Sequence, residues 1–239
     1  MQEIAKIEYF LEKNGIKATQ TQLNQFYRYY QLLNEYNKVM NLTSITNLED
    51  VAVKHFADCT LNHSYYKQNS TILDIGTGAG FPGIPLKILR PDLKITLVDS
   101  LQKRVNFLNI VIKELNLQDI STIHSRAQEL TEHNINKESF DYTTSRAVAS
   151  LNILAEYCLP YIKIGGEMIA LKSISAKDEL SKSITALNIL GGELKQIQQF
   201  LLTTQTEEVL QRNIIIIEKI SQTPKQYPRP RNKIEQKPL

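Results

Sequence analysis

Over residues 1–66 the apolar positions recur at helical spacing, and beyond residue 70 that rhythm breaks into short alternating blocks. Ile4, Ile7, Phe10 and Leu11 lie one to four residues apart on one stripe, which predicts a helix that Gly15 stops. Leu23, Phe26, Tyr27, Tyr30, Leu33 and Tyr36 form a second, longer stripe. Asn41-Leu42-Thr43-Ser44 reads as a loop, and Leu48–Tyr66 as another helix with His55 and Asp58 on neighbouring turns. Tyr27, Tyr29 and Tyr30 carry rings able to stack on bases, but aromatics at helical spacing usually pack into a core, and packing is the expectation here.

From Thr71 onward, strand-like runs alternate with helix-like segments. Strands are expected at Thr71–Ile75, Lys94–Val98, Ile120–His124, Phe140–Thr144 and Glu167–Leu171. Helices are expected at Ile84–Leu89, Gln102–Leu115, Ser150–Tyr161 and Ala176–Leu190. That alternation predicts an α/β fold with a doubly wound, mostly parallel sheet. Two last strands, near Glu193–Leu201 and Asn213–Ile220, are linked by the polar segment Leu202–Arg212 and read as an antiparallel pair. The expected organisation is an N-terminal helical extension packed on the core over residues 1–66, an α/β domain over 67–220 and a tail over 221–239.

The segment Thr71–Gly83 changes the picture most. A short apolar strand carries Asp74 near its end, and Gly76, Gly78, Gly80 and Gly83 follow within a few residues. Glycines there let the backbone turn sharply and approach a ligand, and strand, Gly-rich turn and helix together make a nucleotide-type pocket. Gly78-x-Gly80-x-x-Gly83 fits a dinucleotide fingerprint. Asp74 tilts the choice, since its carboxylate repels a pyrophosphate and suits a cationic ligand such as S-adenosylmethionine (SAM). In open α/β sheets, ligands bind beyond the carboxyl ends of the strands. Past the five strands come Asp74 with the glycines, Asp99, Arg126-Ala127-Gln128, Arg146 and Lys172. Asp99 stands where an acidic residue meets ribose hydroxyls, a role shared by NAD and SAM, and it also suits a helix N-cap. Arg146 and Lys172, at the same edge, read as contacts to a cofactor or to RNA rather than as salt-bridge or snorkelling residues.

Composition bounds the rest. With 239 residues, 42% hydrophobic and 22% charged, the chain reads as a soluble globular protein of one large domain. It has no apolar run near the ~18 residues of a membrane span, and its N-terminus does not read as a signal peptide. Cys59 and Cys158 fit neither a disulfide framework nor a metal site, so the expected home is the cytoplasm, without a metal. Net charge is +3. The tail Ser221–Leu239 holds five basic residues, Lys225, Arg229, Arg231, Lys233 and Lys237, against Glu235. A near-neutral body with a basic tail fits either a polyanionic partner or a solubilising tail.

If the ligand is SAM, the acceptor follows from what is present and absent. The fourth strand ends in Thr144-Ser145-Arg146-Ala147, not in the Asn/Asp-Pro-Pro-Tyr-like segment that accompanies methylation of exocyclic amines. Pyrimidine C5 methylation needs a cysteine nucleophile at that edge, and neither cysteine is placed for it. A ring nitrogen such as guanine N7 has a free lone pair and needs only alignment and exclusion of water.

On these residues the chain resembles the bacterial 16S rRNA (guanine-N7) methyltransferases, the RsmG or glucose-inhibited division protein B family. The resemblance runs through Asn41-Leu42-Thr43, Lys54-His55-Phe56-x-Asp58, DIGTGAGFPGIPLKI (Asp74–Ile88), LVDSLQKRVNFL (Leu97–Leu108), Arg126-Ala127, SRAVA (Ser145–Ala149), GGEMIALK (Gly165–Lys172) and Pro224–Leu239. It implies a Rossmann-like SAM-methyltransferase fold and methylation of N7 of a guanine in the 530 loop of 16S rRNA, free or in the 30S subunit. It implies cofactor contacts at Asp74, Gly76, Gly78, Phe81, Asp99, Ala127, Gln128 and Arg146. His55, Arg146 and Lys172 become candidates for substrate positioning, and Lys172, Arg229, Arg231 and Lys233 for RNA contact. No general base is implied, and no membrane partner; a monomer is expected. Cys59 and Gln128 stand where the family commonly has serine and glutamate, and the tail lacks the glycine and second proline of the usual pattern. Two alternatives remain at this point: a nicotinamide-dependent oxidoreductase and a non-enzymatic RNA-binding protein.

Overall fold

The structure, a computed structural model, describes residues 1–173 and 176–239. Helices α1 (Gln2–Lys13) and α2 (Gln20–Met40) open the chain. Thr19 and Gln22 form a reciprocal capping box at the start of α2, and Asn41 closes it in the left-handed region. The expected single helix over Leu48–Tyr66 is instead broken into α3 (Leu48–Val51), a π-helical stretch Ala52–Ala57, α4 (Asp58–Thr60) and a 3₁₀ turn at His63–Tyr65. The wider π turn falls on the segment that carries His55 and leads into Asp58, and single π turns of this kind often mark functional sites.

Strands β1 (Thr71–Ile75), β2 (Lys94–Asp99), β3 (Ile120–His124), β4 (Phe140–Arg146), β5 (Ile162–Lys172), β6 (Gly192–Thr203) and β7 (Val209–Lys219) form one sheet in the order β3-β2-β1-β4-β5-β7-β6. The first five are parallel, and β7 runs antiparallel to both β5 and β6. Strand order reverses between β1 and β4, so the crevice above their carboxyl ends is the topological switch point. Between strands lie α5 (Gly83–Leu89), α6 (Gln102–Glu114), α7 (Leu151–Cys158), α8 (Ala176–Ser181) and α9 (Ile184–Leu190), with α10 (Arg231–Gln236) in the tail. The helix expected over Ala176–Leu190 is thus two, with Ser183 as the N-cap position of the second.

Side chains alternate across the sheet as strand geometry demands. In the run Ile214–Ile217, Ile214 and Ile216 join α1, α2, α5 and α6 on one face, whereas Ile215 and Ile217 join α7 and α9 on the other. Both faces are covered, which explains the unbroken apolar run. The N-terminal helices share one continuous core with the sheet: Phe26, Tyr29 and Leu33 of α2 belong to the same buried cluster as Ile72, Ile95 and Leu97. The seam extends to the far edge. The Asn14 side chain donates to the Thr203 carbonyl and accepts from the Thr203 amide, at 3.2 and 2.8 Å, as a neighbouring strand would. Lys13 pairs with Glu207 beside it.

Candidate functional site

The glycine turn is held from below and from the side. At Gly80, φ is +107°, and a Cβ there would stand 2.7 Å from Tyr29 Oη and 2.6 Å from Ile84. Tyr29 Oη instead donates to the Ala79 carbonyl, so helix α2 pins the turn directly. At Gly83 a Cβ would strike Leu97 and the Asp74 carboxylate, at 2.3 and 2.7 Å. Its absence lets the Gly83 amide donate to Asp74 Oδ2 at 2.9 Å, beside the Thr77 hydroxyl at 2.6 Å. Asp74 is fully buried and lines neither cavity described below. Expected from the sequence as a cofactor contact, the carboxylate faces inward here and braces the turn. Its Oδ1 has no hydrogen-bond partner among the described residues, and burial pushes its pKa up to about 7.

Two cavities meet above the switch point, sharing Gly76, Arg104, Ala147, Val148 and Ala149. The smaller, about 430 Å³, is bounded by Asp99 and Ser100 at the end of β2, Ala127 and Gln128 after β3, and Tyr157 of α7. Asp99 Oδ2 accepts from the Gly78 amide and Oδ1 from the Leu101 amide, both at 2.9 Å, so one carboxylate fixes the turn and the start of the next helical segment. The larger cavity, about 960 Å³, is bounded by Gly78, Phe81, His55, Arg146 and Lys172 and by apolar residues such as Leu42 and Ile214.

Arg146 organises the larger cavity. Its guanidinium lies over the Phe81 ring at 4.9 Å, donates to the Lys54 carbonyl at 2.9 Å and pairs with Asp58 at 3.1 Å. Asp58 Oδ1 accepts from Arg212 Nε at 3.0 Å, so one carboxylate carries two arginines and the cluster is net positive. Arg146 Nη2 also donates to His55 Nδ1 at 3.1 Å, which assigns the lone pair to Nδ1 and the proton to Nε2, 2.8 Å from Thr43 Oγ1. The Lys54 carbonyl, 3.0 Å from the same Nδ1, is already satisfied by Arg146. Burial and the facing guanidinium pull the His55 pKa down to about 3, so the ring is neutral at physiological pH.

The remaining expected site residues fall in two groups. Lys172 reaches the cavity, but its ammonium is held by the Ala149 carbonyl at 2.6 Å and Glu179 at 2.7 Å. The tail is not free. Arg229 of the tail holds the buried Glu156 of α7 through its backbone amide and the Nε–Nη2 edge of its guanidinium, at 2.6–2.8 Å. Its charge is paired within the protein, so of the expected RNA contacts Arg229 is the one tied most firmly to the fold. Arg231 pairs with Glu235 four residues on, Ile234 is buried, and Lys233 is exposed.

Sequence reasoning missed Arg212, Asp58 as its partner, Tyr29 and Glu156. Arg212 lay in what read as a link, yet antiparallel β7 starts at Val209, and the pairing Lys172↔Asn213 carries its neighbour to the carboxyl edge of the parallel strands. The signal for Glu156 was a lone charge inside the apolar stretch Leu151–Cys158, which demands a buried partner.

Solved structures of low sequence identity share this fold. They include a precorrin-6y C5,15-methyltransferase from Geobacter metallireducens (15% identical, TM-score 0.52, 76% of this chain and 92% of that one). Another is M. jannaschii TYW2 in complex with AdoMet (13% identical, TM-score 0.56, 70% and 76%). The fold is that of the SAM-dependent methyltransferases. Residues 22–214 match the model of the family described as rRNA small subunit methyltransferase G, and the chain belongs to that family. Proteins named ribosomal RNA small subunit methyltransferase G from Staphylococcus epidermidis and Bacillus cereus are 49% and 46% identical over 221 and 228 residues. These matches cover 92% and 95% of this chain and 91% and 94% of the relatives. Membership displaces the nicotinamide-dependent and non-enzymatic alternatives.

Proposed function

We propose that this protein transfers a methyl group from SAM to N7 of a guanine in the 530 loop of 16S rRNA, acting in the cytoplasm as a monomer on rRNA or the 30S subunit. The observation that carries the reading is a cavity with paired arginines and apolar walls whose two carboxylates, Asp58 and Glu179, are already engaged, the first by Arg146 and Arg212 and the second by Lys172. Guanine N7 needs no deprotonation; it needs its in-plane lone pair aligned and water excluded. His55 is neutral with a pKa near 3, so it acts as a positioning residue for Arg146 rather than as a base. Burial pushes the Cys59 thiol well up and the Cys158 thiol up to about 12, which disfavours cysteine-based pyrimidine chemistry. Arg146 and Arg212, sharing Asp58, offer positive charge to the base edge or its phosphate.

The residues present fit SAM. The turn at Gly76 and Gly78 would take its amino-acid half, Asp99 its ribose hydroxyls, and Ala127 and Gln128 its adenine, with Phe81 and Arg146 between cofactor and acceptor. At Gly78 a Cβ would meet nothing within 4 Å, so the backbone there opens to the cavity. Bound SAM supplies an electrophilic methyl group, and the chain supplies alignment. On this reading residues 1–66 roof the acceptor cavity, 67–220 form the methyltransferase domain and 221–239 form a docked tail. Among the described residues no helix is long and apolar enough to cross a membrane. The test is transfer from labelled SAM to small-subunit rRNA and to 30S particles, with the modified nucleotide mapped. One N7-methylguanine in the 530 loop is expected; modification elsewhere, or none with SAM still bound, overturns the assigned acceptor.

A further inference from the structure

We propose that the docked tail is the outer wall of the cofactor cavity, with Arg231 and Glu235 facing the adenosine end of SAM; this rests on the placement of SAM just given. The cavity that holds Asp99, Ala127 and Gln128 on one side is bounded on the other by Tyr157, Arg231 and Glu235. The basic tail, which the sequence leaves open as an RNA arm, thus reaches the cofactor side of the switch point rather than the acceptor side.

Contacts from α7 and from Lys137 hold it there. Arg229 grips the buried Glu156 on α7, the helix that also contributes Tyr157 to the cavity. The other end of the segment is tied back by Arg229 Nη1 to the Lys237 carbonyl and by Asn152 to the Leu239 carbonyl. On the approach to α10, Lys137 donates to the Lys225 carbonyl at 2.9 Å and to the Tyr227 carbonyl. Ile234, fully buried, turns one face of α10 into the protein, and Arg231 and Glu235 flank it on the cavity side.

Arg231 Nε donates to Glu235 Oε1 at 2.6 Å, and both side chains are half exposed. A carboxylate beside a guanidinium presents an acceptor and a donor at one rim. An adenine edge carries the complementary pair, an amino donor next to a ring-nitrogen acceptor. The wall therefore contributes to affinity for SAM and slows its release, and any movement of the tail opens the adenosine end.

Calorimetry and release of labelled SAM from the full-length protein test this. The double variant R231A/E235A is expected to bind SAM about tenfold more weakly, as lost hydrogen bonds to a charged rim imply, and to release it faster. The melting temperature of the cofactor-free protein is expected to stay at the parent value. Parental affinity and release in R231A/E235A, with binding lost in D99A, overturn the wall and leave the cavity assignment standing. Parental binding in D99A overturns the cavity assignment itself. If R231A/E235A lowers the melting temperature, R231M/E235L keeps the bulk without the donor and acceptor and carries the comparison: weakened binding supports the wall, and parental binding overturns it.

Discussion

Asp74 and His55 are buried groups that resist charging, and they act on stability in opposite pH directions. The folded pKa of Asp74 is raised, from 3.8 to about 7, so its contribution is whole below pH 3.8 and is lost as pH rises through 7. That of His55 is lowered, from 6.5 to about 3, so its contribution is whole above pH 6.5 and is lost as pH falls through 3. Between these limits the two slopes oppose. Relative to the parent, Asp74→Asn is expected to gain stability as pH rises from 4 to 7, and His55→Gln to gain as pH falls from 6 to 3. Urea unfolding at stepped pH measures both, and profiles parallel to the parent would refute the assignment. Arg212→Ala leaves Asp58 paired with Arg146, so it should cost under about 1 kcal/mol of stability. Its effect should instead fall on the KM for rRNA, raised about tenfold, with SAM affinity held. Equal losses in SAM and rRNA binding would place Arg212 elsewhere in the mechanism. Asp74 was legible in the sequence as a residue of the turn, but its inward direction was not, because the same spacing serves a carboxylate facing either side of a strand.

At the scale of elements, parallel strands and their helices could be read closely, since apolar runs and glycine punctuation fix them locally. The helical segments around Ala52–Ala57 and Ser181–Ile184 were misread, because a π turn and a mid-helix break leave the apolar spacing almost unchanged. Helix α2 read as a packing helix, and it is one, yet its Tyr29 also fixes the glycine turn. Tyr29→Phe strands the Ala79 carbonyl, and a loss of about 1–3 kcal/mol is expected, together with weaker SAM binding. Thermal unfolding with and without SAM checks it; an unchanged melting temperature would show that the bond contributes nothing. Arg229→Ala leaves Glu156 charged and buried, at an expected cost of about 3–5 kcal/mol. Adding Glu156→Gln should recover part of that loss, and denaturant midpoints of the two variants decide it.

For the whole molecule, the charge reading needed the tertiary structure to sort it. Of the five basic residues in the tail, Arg229 is neutralised by Glu156 and Arg231 is paired with Glu235, while Lys225, Lys233 and Lys237 stay exposed. Deleting Ser221–Leu239 should still weaken RNA binding more at low salt than at high salt, through those lysines. Replacing only the three by alanine should reproduce the effect, and an unchanged salt slope in both would make the tail a bystander to RNA. Acceptor-side chemistry was legible wherever parallel strands end, and illegible at Arg212, which reaches the same edge from an antiparallel strand. The Asn14–Thr203 seam has a consequence for biosynthesis. Synthesis runs from the N-terminus, so the first helix emerges long before the strand that completes its hydrogen bonding, a separation of 189 residues. The helices can pack on their early core partners, Ile72, Ile95 and Leu97, as these emerge, but this seam closes only after residue 203 has left the ribosome, and the larger cavity, walled in part by Arg212 and Ile214, is complete only later still.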